Sequence, residues 1–235
     1  MKTAVITGGT KGIGYALVNI FAAHGFHVIT CSRNKEDLDV LDRTIRTSHP
    51  KATLYTMPAD LSKKEDIIRF IAFIKNNCAG VDVLINNTGV YTPGQIHNEP
   101  DGVLEKMIET NVYSAYHLTR GLIGDMIQRK SGHIFNICST ASITPYVNGG
   151  SYCISKYALY GMTKVLREEM KPHNIRVTAV LPGATYTKSW EGTTLPEHRF
   201  MKADDVALAI WHTYHLPEGT VVEEILMRPQ LGDIS

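Results

Sequence analysis

The chain has 235 residues, 43% hydrophobic and 20% charged, enough to bury one substantial core in a single α/β unit. With 24 basic and 23 acidic side chains its formal net charge is +1, so no global field recruits nucleic acid, an anionic membrane or an acidic partner. Cys31, Cys78, Cys138 and Cys153 show no C-x-x-C spacing and read as buried free thiols of a reducing compartment.

The sequence opens with MKTAVIT, an apolar strand over 2–7 that runs at once into glycines. That is too short for a signal peptide, and no apolar run reaches membrane-spanning length, so a cytoplasmic protein is expected. Further strands are predicted over 27–32 (HVITCS), 52–57, 81–86, 132–138 (GHIFNIC), 175–180 and 221–227. Most are too apolar for a wet face, as in a parallel sheet covered on both sides. Between them, Leu38, Leu41 and Ile45 form one helical stripe; Ile67, Ile68, Ile71 and Ile74 another; Leu159, Met162 and Leu166 a third. Strand, helix, strand in repetition predicts one α/β domain over 1–235, a doubly wound, Rossmann-like parallel sheet with helices on both faces. The long stretch over about 184–201, which contains Pro196, is expected to be a substrate loop.

The first strand ends in TGGTKGIG, residues 7–14. Gly8, Gly12 and Gly14 permit a tight turn, backbone approach to a phosphate and close helix packing. The next helix would aim its free N–H groups at a pyrophosphate, which predicts dinucleotide binding. An acid at the end of the second strand would accept the ribose hydroxyls of NAD, but Cys31, Ser32 and Arg33 stand there, with Lys11 in the glycine turn. Two cations and no carboxylate suit a 2′-phosphate, so NADP(H) is preferred over NAD(H).

SYCISKYALYGMTK, residues 151–164, holds Tyr-x-x-x-Lys twice, as Tyr152–Lys156 and Tyr160–Lys164. Ser139 closes the strand GHIFNIC at the carboxyl edge, where ligands of open α/β sheets bind, and Tyr152 begins the following helix on the same rim. Tyr160 lies about 12 Å further along and rotated by roughly 80°, so it reads as a packing or surface residue. An ammonium about 4 Å from the Tyr152 phenol would stabilise the phenolate by up to roughly 4 kcal/mol at an effective dielectric of about 20. That would draw the group down toward neutral pH, where it can pass a proton to a carbonyl receiving hydride.

These motifs together resemble the short-chain dehydrogenase/reductase family over nearly the full length. The matching residues are TGGTKGIG, NNTG at 86–89, Asn111 in ETNV, Ser139 in ICSTAS, Tyr152-x-x-x-Lys156 and Pro182-Gly183. The resemblance implies strand order 3-2-1-4-5-6-7 and reduction of a carbonyl to an alcohol. Tyr152 would be the acid, Ser139 the positioner, Lys156 the ribose clamp, and Asn111 would hold a relay water. It also implies cofactor contacts at Gly8, Thr10, Lys11, Gly12, Ile13, Gly14, Ser32, Arg33, Asp60, Leu61, Asn87, Gly89, Tyr152, Lys156, Pro182, Gly183, Thr185 and Thr187. Asp60 or Ser62 could instead cap a helix, and Asn86 reads as a backbone brace. Thr88 replaces the family's alanine, and Thr185 replaces an apolar residue.

Tyr91, Tyr146, Tyr186 and Trp190 suggest a partly aromatic pocket. The ten histidines show no metal-ligand spacing, and no metal is expected. Arg129-Lys130 reads as a solvated helix end rather than a carrier-protein dock. The resemblance implies as partners a small carbonyl or alcohol substrate and further copies of the chain, as a tetramer or dimer. Reduction of a 3-oxoacyl carrier protein is the alternative within catalysis. Outside it stand a non-catalytic NADP(H) sensor and a structural subunit.

Overall fold

The computed structural model of the chain describes residues 1–187, 190 and 192–234. The strands are β1 (Thr3–Thr7), β2 (His27–Ser32), β3 (Thr53–Pro58), β4 (Val83–Asn86), β5 (Gly132–Ile137), β6 (Ile175–Pro182) and β7 (Glu224–Met227). Valine, isoleucine and threonine fill them because β-branched side chains pack well on a pleated surface. The helices are α1 (Gly12–Ala23), α2 (Lys35–Ser48), α3 (Lys64–Asn77), α4 (Val103–Ile108), α5 (Ser114–Arg129), α6 (Gly150–Met170) and α7 (Ala203–Tyr214).

All seven strands pair in parallel in the order β3-β2-β1-β4-β5-β6-β7, the doubly wound arrangement expected from the sequence. The order reverses between β1 and β4, which opens a crevice at their carboxyl ends. One apolar layer joins the sheet to Leu17 and Phe21 of α1, Leu41 and Ile45 of α2, and Val206 and Ile210 of α7. The other joins it to Ile67, Phe70 and Ile74 of α3 and to Leu118, Leu122 and Met126 of α5. A sheet buried on both faces is thus fixed in register, since a one-residue slip would turn each strand's side chains over.

Four expectations are corrected. In α3 the buried stripe is Ile67, Phe70 and Ile74, while Ile71 is half-buried and Ile68 exposed, because the helical period turns position 68 away from the sheet. Met162 and Leu166 of α6 are only half-buried, whereas Leu159 is buried. Cys78 is half-buried, unlike the other three free thiols. Arg129 pairs with Asp82 at 3.2 Å, and its other Nη donates to the Val81 carbonyl, so it ties α5 to β4.

Between α4 and α5 the helix widens into a π turn over Glu109–Tyr113, with Asn111 at its centre. Such turns re-aim side chains that a regular helix would hold elsewhere. No described helix is long and apolar enough to cross a membrane.

Candidate active site

The turn after β1 is shaped by glycine. Gly8 and Gly12 adopt φ of 68° and 53°, and a methyl group at Gly14 would fall 2.1 Å from the Gly8 carbonyl oxygen. Thr30, fully buried in β2, donates to the Ile6 carbonyl at 2.6 Å and accepts from Gly9 N–H at 3.1 Å, which pins the turn to the sheet. Helix α1 begins at Lys11 with no side-chain cap, leaving its first-turn N–H groups directed toward the crevice. Thr10 bonds Ser32 at 3.1 Å, and Ile13 and Gly14 open the helix. The turn therefore has the shape and polarity that a pyrophosphate requires.

At the end of β2, Arg33 is exposed and makes no hydrogen bond or ion pair with another described residue. Lys11 does: its ammonium lies 2.6 Å from the carboxylate of Asp37, in the first turn of α2. The two cations expected to stand open are thus one open and one paired. Asp60 follows β3 and receives Ser62 N–H at 3.1 Å and Ser62 Oγ at 2.8 Å. Neither residue caps α3, whose N-cap is Lys63, and Leu61 beside them is buried. Asn87, not Asn86, braces the backbone, donating to the Thr7 carbonyl at 2.8 Å while its own N–H meets Thr7 Oγ1 at 2.9 Å. Asn86 instead joins a buried side-chain network with Thr119 and Asn136.

Ser139 follows β5 and caps a short 3₁₀ turn over Thr140–Ser142, where its Oγ accepts from Ala141 N–H at 3.1 Å. Its hydroxyl also lies near enough to the Tyr152 phenol to favour the phenolate. Lys156, one turn further along α6, is buried; its Nζ donates to the Ile137 carbonyl at 2.8 Å and lies 5.8 Å from the centre of the Tyr152 ring. Asn111 is fully buried and donates to Val90 O at 3.0 Å and Ser155 Oγ at 2.9 Å, while its Oδ1 accepts Val90 N–H at 2.7 Å. Both its amide donors are engaged, so a relay water would have to sit on its remaining acceptors. A methyl group at Gly89 would lie in ordinary contact with Asn111 Oδ1 at 3.4 Å and Lys156 Nζ at 3.5 Å, which places this glycine between the two.

Burial dominates the titration of the pair. It pushes the Tyr152 phenol up to about 12, against the opposing influence of the Ser139 hydroxyl, and pulls Lys156 down to about 8. The expected lowering of Tyr152 by its lysine is therefore reversed in the free chain, because enclosing both groups disfavours both charged forms.

The second pattern is separate. Tyr160 donates its hydroxyl to Glu224 of β7, and Lys164 lies 5.1 Å over its ring, away from Ser139. At the end of β6, Pro182 and Gly183 pair with Met227, Thr185 is buried with its hydroxyl on Gly183 O, and Thr187 lies beside Gly12. Residues 188, 189 and 191 of the anticipated substrate loop lie outside the described residues. The four aromatics divide. Tyr91 meets Tyr152 edge-on at 4.9 Å, and Tyr146 lies near both, whereas Tyr186 and Trp190 pack on Phe200. A hollow of about 400 Å³ between Ile96, Tyr146, Cys153 and Tyr157 adjoins this group. A polar hollow around Lys2, Asp82 and Arg176 lies at the opposite, amino edge of the sheet.

The family profile described as short chain dehydrogenase matches residues 2–197. The chain belongs to that family. It is 33% identical over 239 residues to sepiapterin reductase of Chlorobaculum tepidum, covering 98% of this chain and 97% of the relative. A metagenomic short-chain oxidoreductase solved in complex with NADP superposes with a TM-score of 0.85 at 29% identity, over 97% of each chain. The closed form of a serine dehydrogenase complexed with NADP+ gives 0.87 at 26% identity, over 99% of this chain and 97% of the other.

In this short chain dehydrogenase three supporting residues escaped the sequence reading. Thr30 pins the glycine turn, and Thr7 receives the N–H groups of both Asn87 and Thr88 at 2.9 Å. Ser155 links Asn111 to the Tyr152 carbonyl, to which it donates at 2.8 Å. The one available signal was three polar residues at positions that helical and strand periodicity assigns to a buried face.

Proposed function

We propose that the chain is an NADP(H)-dependent reductase that converts a ketone or aldehyde to an alcohol. The observation carrying this reading is the Tyr152 phenol beside Ser139, with Lys156 one turn behind it on the same rim as the uncapped glycine turn. The backbone of Gly8, Thr10, Gly12, Ile13 and Gly14 would surround the pyrophosphate. Ser32, Arg33 and Lys11 would meet the 2′-phosphate, and Asp60 and Leu61 the adenine. Asn87, Gly89, Lys156, Pro182, Gly183, Thr185 and Thr187 would line the nicotinamide end. Bound NADPH would supply the hydride to the carbonyl carbon.

The chain's own groups handle the oxygen. Ser139 donates a hydrogen bond to it and fixes its angle; Tyr152 passes it the hydroxyl proton. Lys156, with a water held near Asn111, returns a proton to the phenolate. The NADP complex of the metagenomic relative supports the cofactor assignment, and Arg33, without a partner among the described residues, suits a phosphate. The tyrosines beside Tyr152 suit a carbonyl attached to a flat ring, and full-length similarity to a sepiapterin reductase supports testing that compound first. One domain over 1–235, assembly into a dimer or tetramer, and residence in the reducing cytoplasm complete the proposal.

The test is NADPH absorbance over a panel of sepiapterin, other ketones, acyl thioesters and sugars, with Tyr152→Phe alongside. The variant should lose about 10²–10⁴-fold in kcat, the usual share of a proton donor, and bind NADPH as tightly as the parent. Full activity in Tyr152→Phe would discard the assignment.

A further inference from the structure

Helix α6 carries Tyr152 and Lys156 yet begins without a cap of its own. Its N-cap is Gly149, which offers no side-chain acceptor. The first-turn N–H of Ser151 goes instead to Glu99 Oε1 at 3.0 Å, and the Ser151 hydroxyl donates to the other carboxylate oxygen. A carboxylate there satisfies an orphan donor and sets negative charge at the positive end of the helix. Two glycines make its room. A methyl group at Gly150 would fall 2.1 Å from Glu99 Oε1, and one at Gly94 2.5 Å from Glu99 Cγ.

The segment bearing Glu99 is stitched to the same place by its backbone. Gly94 N–H donates to the Asn148 carbonyl at 3.0 Å, Gln95 Nε2 to Asn148 Oδ1 at 2.9 Å, and Gly94 and Gly149 form a parallel bridge. Glu99 N–H closes a turn on Gln95 O at 2.9 Å, which orients the carboxylate back toward α6. At the other end of the segment, the Val90 backbone is held at both its N–H and C=O by Asn111. Tyr91, between these anchors, presents its ring to Tyr152, the residue that follows Ser151.

We propose, resting on the reading of Tyr152 as proton donor, that Glu99 is a positioning residue. It straps residues 90–99 to the start of α6, and so fixes the Tyr91 wall against Tyr152 and the width of the carbonyl site. Glu99 touches neither substrate nor cofactor in this scheme; it acts through Ser151 and Tyr91.

The test compares Glu99→Ala, Glu99→Gln and Ser151→Ala by amide hydrogen exchange, NADPH affinity, and KM and kcat for a carbonyl from the panel. Glu99→Ala should raise the carbonyl KM about ten-fold, the factor carried by a hydrogen bond to a charged group, and leave the NADPH dissociation constant unchanged. Exchange at Gly94 and Ser151 should speed up together. Glu99→Gln should recover most of the loss, since its amide oxygen still accepts Ser151 N–H. Ser151→Ala keeps that N–H and should fall between, so it carries the test if Glu99→Ala does not fold. A cap with a structural role alone would lower the melting temperature and spare the carbonyl KM; that result, or equal losses for carbonyl and cofactor, overturns the proposal. If no carbonyl is turned over, the tyrosine chemistry is what has failed, and unchanged exchange at Gly94 in Glu99→Ala overturns the strap independently.

Discussion

Lys156 is buried with its ammonium on a single carbonyl, and that isolation gives it a proton affinity low enough to matter near neutral pH. Its folded value of about 8 lies below the usual 10.5, so between those limits the unfolded chain binds more protons and stability rises with pH. Tyr152, raised from 10 to about 12, acts in the opposite sense: the folded chain holds its proton longer, and stability falls as pH climbs through that window. For reduction the phenol remains protonated across the working range, so the charge of Lys156 is what changes. Reductive kcat/KM should therefore be level below pH 8 and decline above it, as the ammonium that supports the nascent phenolate is lost. A pH profile of the parent beside Lys156→Met checks this; the variant should be slow and show no break near 8, and a parent rate rising through that pH would contradict the role. The Tyr-x-x-x-Lys spacing was readable because it is local to one helix. The direction of the phenol's shift was not, because the enclosure that governs it is supplied by groups from other segments, Tyr91 among them.

The glycine turn was equally readable, since each glycine answers a local need: a positive φ at Gly8 and Gly12, and no room for a methyl group at Gly14. What the turn's lysine does depends on the neighbouring helix. Helix α2 is capped by Asn34, which accepts Asp37 N–H at 3.2 Å, and that cap holds the Asp37 carboxylate within 2.6 Å of Lys11. A 2′-phosphate arriving at Arg33 must draw Lys11 away from Asp37 or tolerate the carboxylate beside it. Asp37→Asn should then tighten NADPH and 2′,5′-ADP by up to about five-fold, the range of a half-exposed ion pair, and leave NADH unchanged. Calorimetric titration of the three ligands reads this directly. Weaker NADPH binding in the variant would mean that Asp37 orients Lys11 instead of competing for it. Both cations are legible in the sequence and the acid is not, since five residues past the strand end nothing local marks it as a partner of the glycine turn.

The architecture followed from alternation alone: apolar runs without a wet face, separated by amphipathic helices, leave a doubly wound parallel sheet as the economical solution. Alternation does not say which outer surfaces remain bare. On α6, Ile154, Tyr157, Ala158, Gly161 and Val165 recur at helical spacing and all face outward, with nothing within 4 Å of a methyl group placed at Gly161. The outer edge of the sheet is β7, only four residues long, with Leu226 exposed. An apolar stripe on the helix that bears Tyr152 is poorly explained by solvent alone, and a second copy packing there would also stiffen the proposed proton donor. Light scattering should accordingly give a dimer or tetramer for the parent. Ile154→Glu combined with Val165→Glu should give a folded monomer, because burying unpaired carboxylates costs several kcal/mol, about 10³ in the association constant. If that monomer keeps the parent's turnover, each tyrosine centre is complete within one chain and assembly serves stability. A loss of turnover with NADPH affinity intact would instead make the neighbouring copy part of what holds α6 in place.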